Sequence, residues 1–199
     1  MFYETTKSDH GLPYDPFKAI IAPRPIGWIT TVSASGEINL APYSFFNAFS
    51  TRPPIVGFSS ESRKDSVEFA EQTGEFVCNL ATWELRNEVN LTSATLPRGE
   101  NEMETVGLAA APSRLVRPPR VATTPCALEC KLLQVVRLED VEGRALDQFV
   151  VIGQVVGVHI DDRYLHDGRL DTAAMQPIAR CGYSDYAVVT ELFQMKRPL

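Results

Sequence analysis

Two neighbouring stretches in the first third of the chain carry polar residues in patterns suited to ligand binding. The stretch 39–47, Asn-Leu-Ala-Pro-Tyr-Ser-Phe-Phe-Asn, sets hydroxyl and amide side chains between apolar runs. Backbone amides and the Ser44 hydroxyl suit the polar rim of a flat aromatic ring, and Tyr43 or Phe45 suits its apolar face. A strand end with local turn bonds and aromatic core residues would give the same pattern.

The stretch 59–66 precedes a predicted helix and contains the groups of an anion site. Its hydroxyls and positive charges belong to Ser59, Ser60, Ser62, Arg63, Lys64 and Ser66. A helix N-terminus adds backbone amides and a partial positive charge. Together the two stretches indicate a phosphorylated aromatic cofactor. The alternative is a surface helix whose serines satisfy only its own end.

The elements that must position these stretches are mostly strands. β-Branched and aromatic residues between turn signals predict strands at 26–33, 37–41, 55–59, 76–80, 127–138, 149–160 and 186–193. The last of these is expected to close the sheet. So many strands with few helices indicate an antiparallel barrel or sandwich.

Two helices and one long loop are predicted between the strands. The first helix has Asp65 as its N-cap, Glu68 as the partner in a capping box and Gly74 at its end. The second covers residues 82–94. Residues 96–125 carry five prolines and predict an irregular loop.

Composition narrows the class of protein. The 199 residues suit one domain, 1–199, with a core over about 20–190, and the formal net charge of −6 argues against binding nucleic acid or anionic lipid. No apolar run is long enough to cross a bilayer, and the N-terminus does not resemble a secretory signal, so we expect a cytoplasmic protein. The four cysteines and three histidines lack metal-ligand spacing, which predicts free thiols and no metal.

Residues 24–80 resemble the flavin-reductase-like FMN-binding domain family, in the branch of nitrilotriacetate monooxygenase reductase components and flavoredoxin. The matching pieces are Arg24-Pro25-Ile26-Gly27-Trp28-Ile29, the stretch 39–47, Pro53-Pro54, Lys64-Asp65-Ser66 and Gly74-Glu75-Phe76-Val77-Cys78-Asn79-Leu80. Weaker similarity continues through Leu128-Glu129-Cys130 and Ile152-Gly153-Gln154-Val155 to Pro177-Ile178-Ala179-Arg180.

The resemblance implies a mainly β protein: an antiparallel FMN-binding split barrel of Greek-key type, with a few peripheral helices. It further implies a homodimer with FMN near the subunit interface. The residues expected beside the flavin ring are Tyr43, Ser44, Phe45 and Asn47. Those expected around the ribityl phosphate are Ser59, Arg63, Lys64, Asp65 and Ser66. The family often has an arginine followed by two small residues where this chain has Arg180-Cys181-Gly182, which makes Arg180 a further candidate.

The implied activity is NAD(P)H-dependent reduction of FMN, with electrons passing to oxygen or to a partner oxygenase. The flavin would carry the chemistry, so no catalytic side chain is expected. No GxGxxG motif accompanies a strand and helix, so NADH or NADPH is expected to bind transiently over the flavin. The alternatives are an FMN electron carrier reduced by another protein, and a non-catalytic binding module. Trp28 and His159 are expected to be structural.

Overall fold

Strands dominate the chain, and the computed structural model describes residues 1–97 and 99–198. The described strands are β1 Arg24–Pro25, β2 Gly27–Val32, β3 Ile38–Tyr43, β4 Phe46–Thr51, β5 Pro54–Ser60, β6 Glu75–Leu80, β7 Ala110–Ala111, β8 Arg120–Val121, β9 Cys126–Glu139, β10 Ala145–Ile160, β11 Leu165–His166, β12 Arg169–Leu170, β13 Ile178–Gly182 and β14 Asp185–Val188. The described helices are α1 Phe17–Ile20, α2 Asp65–Thr73, α3 Arg86–Leu91, α4 Glu102–Thr105, α5 Thr172–Met175 and a 3₁₀ turn at Asp162–Tyr164.

The main sheet is a barrel that stays open along one seam. Its seven antiparallel strands run in the order β3-β2-β6-β9-β10-β5-β4. The two edge strands, β3 and β4, follow each other in the chain, yet no pairing joins them within the described residues. Pro42, which has no backbone N–H, is tolerated in β3 because an edge strand pairs on only one side. The predicted mainly β split barrel with few helices is confirmed.

Helix α2 supplies apolar side chains to the core of the barrel. Val67 and Ala70 are buried in the same cluster as Phe58, Phe76 and Val151. The helix ends at Gly74, whose left-handed φ of 70° suits a residue without Cβ, as predicted. None of the helices in the described residues has the length and apolar character needed to cross a membrane.

A second core cluster lies around Trp28. This fully buried side chain packs with Leu40, Val89 and Met103, which come from β3, α3 and α4. Its indole N–H donates to the Thr92 hydroxyl at 2.9 Å, so the one polar group of the buried ring has a hydrogen-bond partner. Trp28 is thus structural, although its partners include helices α3 and α4 rather than barrel strands alone.

The boundaries of one predicted helix and one predicted strand were wrong, because some of their residues pair with other parts of the chain. The helix predicted over 82–94 is reduced to α3, since Thr82 forms a β-bridge with Pro177 and the Trp83 amide bonds the Gln176 carbonyl at 2.9 Å. The strand predicted over 186–193 is β14, which pairs with β13 in a separate sheet with β1 and therefore does not close the barrel. The predicted loop at 96–125 also contains α4, β7 and β8.

Strand side chains hold the segment 113–121 against the barrel. Glu129, only 1% exposed, accepts the amides of Arg114 at 2.7 Å and Leu115 at 2.6 Å, and it bonds His159 Nε2 at 2.5 Å. Burial raises the pKa of Glu129, but the amide bonds and His159 outweigh this, so its pKa lies below the ordinary value. His159 therefore has the structural role expected of a strand histidine.

The carboxylate of Glu129 should stabilise the fold in a pH-dependent way. We expect Glu129→Gln to lower the free energy of unfolding at pH 7 by about 1.5–3 kcal/mol, because three polar partners lose a charged acceptor. A lowered pKa in the folded state gives stability that is complete above the unfolded-state pKa and is lost as pH falls through the folded-state pKa. The difference from wild type should therefore shrink at acid pH.

Urea unfolding at several pH values measures this difference. Glu139→Gln, at the exposed end of β9, is the matched control and should change stability by less than about 0.5 kcal/mol. A Glu129→Gln effect that is equally small, or that grows as the pH falls, would contradict the assignment.

Candidate functional site

The N-terminus of α2 lies at one end of the predicted site. Lys64 is the N-cap, with extended backbone (φ −78°, ψ 173°) and no capping bond from its side chain. The predicted Asp65 N-cap and capping box were therefore wrong by one residue, and Asp65 instead begins the helix. The Lys64 carbonyl accepts the amides of Val67 and Glu68. The amides at positions 65 and 66 precede these bonds and point out of the helix start, where a negative charge is favoured.

A cavity of about 420 Å³ opens at this helix start, and we call it the helix-end cavity. Its lining comes from β3, the start of α2 and the segment before it, the segment after α3, and α4. The lining residues are Asn39, Ala41, Pro42, Tyr43, Ser62, Arg63, Lys64, Asp65, Ser66, Thr92, Ser93, Ala94, Thr95, Leu96 and Glu102. Five of the predicted site residues, Tyr43, Arg63, Lys64, Asp65 and Ser66, thus come together here.

The floor of the helix-end cavity is a buried hydrogen-bond network. Asn39 Nδ2 donates to Ser66 Oγ at 2.7 Å, and Ser66 is only 1% exposed. Burial raises the pKa of Tyr43 above its ordinary value, and the hydroxyls of Ser66 and Ser60 oppose this rise only in part. The Ser66 hydroxyl is therefore engaged by the protein itself, so its backbone amide is the better candidate for contact with an anion.

The two cations of the helix-end cavity, Arg63 and Lys64, differ in whether they are already paired with a carboxylate. The Arg63 guanidinium forms an ion pair with Glu71 across α2. The Lys64 ammonium is exposed and makes no ion pair with another residue in 1–97 or 99–198. Lys64 is therefore the side chain that can approach a bound anion without first breaking an ion pair.

Glu102 is a member of this cavity that the sequence did not reveal. Its buried carboxylate accepts the Leu40 amide at 2.9 Å and so ties α4 to β3. Burial and the charge of Asp65 raise its pKa above the ordinary value. Residues 92–96 were also missed, although the hydroxyl run Thr92-Ser93-Ala94-Thr95 after a predicted helix was a readable signal.

A second cavity, of about 680 Å³, lies along β4 and β5, and we call it the apolar cavity. It is lined by Phe17, Ile20, Ile21, Ala22, Pro23, Arg24, Pro25, Ser44, Phe45, Phe46, Asn47, Phe49, Gly57, Phe58, Ser59 and Val150. The predicted residues Ser44, Phe45, Asn47 and Ser59 lie here. Gly57 leaves room for Phe49, since a Cβ there would lie 2.5 Å from the Phe49 ring.

The two cavities are adjacent along the chain. Consecutive residues Tyr43 and Ser44, at the turn from β3 to β4, line different cavities, as do Ser59 in β5 and Ser62 just after it. The Ser59 amide bonds the Phe45 carbonyl at 2.8 Å and fastens this turn to β5. The open seam of the barrel therefore separates a polar cavity at a helix start from an aromatic one.

Arg180 is not brought together with the other predicted residues. Its guanidinium lies 4.5 Å from the centroid of the Tyr186 ring and donates to the Tyr183 carbonyl. It does not line either cavity, whereas its cross-strand partner Arg24 lines the apolar cavity. Within the described part of the chain, no group of three or more His, Cys, Asp or Glu side chains is placed to hold a metal, and the four cysteines are free.

Comparison with known proteins assigns the family. The flavin reductase like domain matches residues 21–174, which is most of the chain, and the protein belongs to this family. Among curated proteins, one from Halalkalibacterium halodurans is 34% identical over 183 residues, which cover 89% of this chain and 87% of that protein.

Two solved structures extend the comparison to the whole fold. Nitrilotriacetate monooxygenase component B from Bacillus cereus is 29% identical and superposes with a TM-score of 0.90, with 98% of each chain covered. A protein described as a flavin reductase with a split barrel domain, from Shewanella frigidimarina, is 23% identical with a TM-score of 0.83, covering 98% of this chain and 94% of that one. The second likeness supports the fold alone.

Proposed function

We propose that this protein binds FMN and catalyses its reduction by NADH or NADPH, supplying electrons to oxygen or to a partner oxygenase. The observation that carries the proposal is that two consecutive residues, Tyr43 and Ser44, line two chemically different cavities. One cavity has the groups for a phosphate and a polyol chain, and the other has the aromatic walls for a ring. FMN joins these three chemical parts in one molecule.

The phosphate fits the helix-end cavity. The amides at the start of α2, with Lys64, supply donors and positive charge, and Arg63 can add charge if it leaves Glu71. Asp65 lies beside this position, and its carboxylate suits a ribityl hydroxyl better than a phosphate. Ser66 would act through its backbone amide while its hydroxyl supports the cavity floor.

The flavin ring fits the apolar cavity. Ser44, Asn47 and Ser59 offer polar groups for its rim, and Phe45 offers an apolar face. When bound, a flavin supplies the redox chemistry, accepting two electrons and a proton from a reduced nicotinamide. The residues of this chain bind and orient the ring and exclude water from one side of it, so no acid or base of the protein is required. Arg180 has no contact that supports a cofactor role.

The family and the likeness to a monooxygenase component support a partner oxygenase as one electron acceptor. The second candidate function, an FMN electron carrier reduced by another protein, uses the same cofactor site and differs only in the donor. A cytoplasmic location and a single domain over 1–199 remain predictions.

Two measurements on the purified protein separate these functions. We expect added FMN to bind with quenching of its fluorescence, and NADH or NADPH to bleach the visible flavin absorption of the complex in stopped-flow mixing, at a rate that saturates with the nicotinamide concentration. Bleaching only with a protein donor would support the carrier. A protein that takes up no FMN would contradict both and favour a non-catalytic binding module.

Lys64 should contribute to binding of the phosphate alone. We expect Lys64→Ala to weaken FMN binding by about 1.5 kcal/mol, the low end for a bond to a charged group because Lys64 is exposed, which is about tenfold in Kd. Riboflavin, which lacks the phosphate, should bind the variant and wild type equally. The matched control is Arg63→Ala, which removes a charge that is already paired with Glu71 and should therefore weaken FMN binding less. Equal losses for FMN and riboflavin would reject the phosphate assignment.

A homodimer is the proposed assembly. Apolar side chains remain exposed along the hairpin of β9 and β10, among them Leu133 (51% exposed), Val136 and Leu146, and a second copy of the chain would bury them. Light scattering should give about twice the chain mass of 22.1 kDa. Leu133→Glu should shift the protein towards monomer, whereas Leu192→Glu, in the irregular C-terminal segment, should not. A monomeric wild type would contradict the assembly.

A further inference from the structure

Arg24 is a buried cation in the wall of the apolar cavity. It lies in β1, is 6% exposed, and belongs to the residues that line this cavity. Its Nη1 donates to the backbone carbonyls of Lys18 and Ile21, with a longer contact to the Cys181 carbonyl at 3.5 Å. These contacts fix the guanidinium between α1 and β13, so its position is set before any ligand arrives.

The charge of Arg24 has no anionic partner among the described residues. No carboxylate forms an ion pair with it in the part of the chain that the structure describes, and its buried Nε has no hydrogen-bond acceptor. Carbonyl dipoles solvate part of the charge, but a buried cation ordinarily has an anionic partner. Buried polar groups left without partners frequently mark functional positions.

The neighbours of Arg24 indicate what kind of anion could approach. Its guanidinium carbon lies 5.5 Å from the centroid of the Phe45 ring, and the Lys18 ammonium lies 6.0 Å from the same centroid. The rest of the wall is largely aromatic and aliphatic, with serine hydroxyls at Ser44 and Ser59. Such a wall suits a flat aromatic ligand that carries negative charge better than a small, strongly hydrated anion.

We propose that Arg24 is the counter-charge for an anionic aromatic ring, and that it makes the protein bind reduced flavin more tightly than oxidised flavin. This inference rests on the proposed function. Addition of a hydride, two electrons and one proton, to a neutral oxidised ring forms an N–H bond and leaves the ring with one negative charge. A fixed cation in a site of low dielectric attracts the charged form and not the neutral one.

A purely structural role for Arg24 predicts a different result. If it only ties α1 to β13, its replacement would loosen the cavity wall and weaken both redox forms of the flavin alike. The ratio of the two affinities therefore separates the roles, and overall activity does not. The ratio of the two dissociation constants sets the difference in midpoint potential between bound and free flavin, so a change in the ratio is measured as a change in that potential.

The experiment measures Kd for oxidised FMN and the midpoint potential of the bound FMN in wild type and three variants. We expect Arg24→Met to weaken binding of reduced FMN at least tenfold more than binding of oxidised FMN, which lowers the midpoint potential by about 30 mV for a two-electron couple. Arg24→Lys retains the charge and should change the ratio less than threefold. Lys18→Met, the matched control, removes an exposed cation near Phe45 but keeps the Lys18 carbonyl, and should change it less than twofold.

The other outcomes reject the inference or leave the decision to a second comparison. Equal weakening of both redox forms in Arg24→Met rejects the counter-charge role and leaves the proposed function intact. If Arg24→Met does not fold, wild type and Arg24→Lys provide the test. Both must bind reduced FMN more tightly than oxidised FMN, and the absence of that preference in either one rejects the inference. Failure of wild type to bind FMN in either state rejects the proposed function together with this inference.

Discussion

The open seam between β3 and β4 is the constraint on which the rest of the structure depends. Both strands are edges of the seven-stranded sheet, and the turn at Ser44 and Phe45 joins one to the other. Unpaired strand edges must be covered or occupied by something. Here the backbone of the turn is fastened to β5 by the bond from the Ser59 amide to the Phe45 carbonyl, and a cavity lies on each side.

The helix α2 makes the two cavities chemically different. Its apolar side chains enter the barrel core, which fixes its start beside the end of β3. The hydrogen bond from Asn39 to Ser66 then joins the helix start to that strand. As a result, one side of the seam presents helix amides and Lys64, while the other presents the aromatic residues of β4 and a buried arginine. The site is thus part of the same packing that stabilises the barrel.

The sequence predicted the elements better than it predicted their partners. Strand alternation and turn residues located β2, β3, β5, β6, β9 and β10, and Gly74 located the end of α2, because these signals are local. The first two residues of β4 were included in the polar stretch 39–47 and the others were not predicted as a strand, since β4 mixes polar and aromatic types. The shortening of α3 depends on contacts with residues about 95 positions away, which no local pattern contains. The pairing of β14 with β13 is a local hairpin, but its place in a separate sheet depends on the distant strand β1.

The candidate site was predicted in the same partial way. The stretches 39–47 and 59–66 were recognised because their polar groups are unusual beside strands, and each does line a cavity. Glu102 was not recognised as a site residue, and Arg24 was matched to the family without a role beside the cofactor, because only the fold brings α4 and β1 to the cavities. Arg180 was included through family resemblance, yet its guanidinium packs on Tyr186.

The most direct test of the account is a crystal structure of the protein with FMN. The account predicts the phosphate within hydrogen-bonding distance of the amides at the start of α2, and the ring in the apolar cavity against the turn at Ser44 and Phe45. A phosphate bound elsewhere, or a ring that occupies neither cavity, would contradict it.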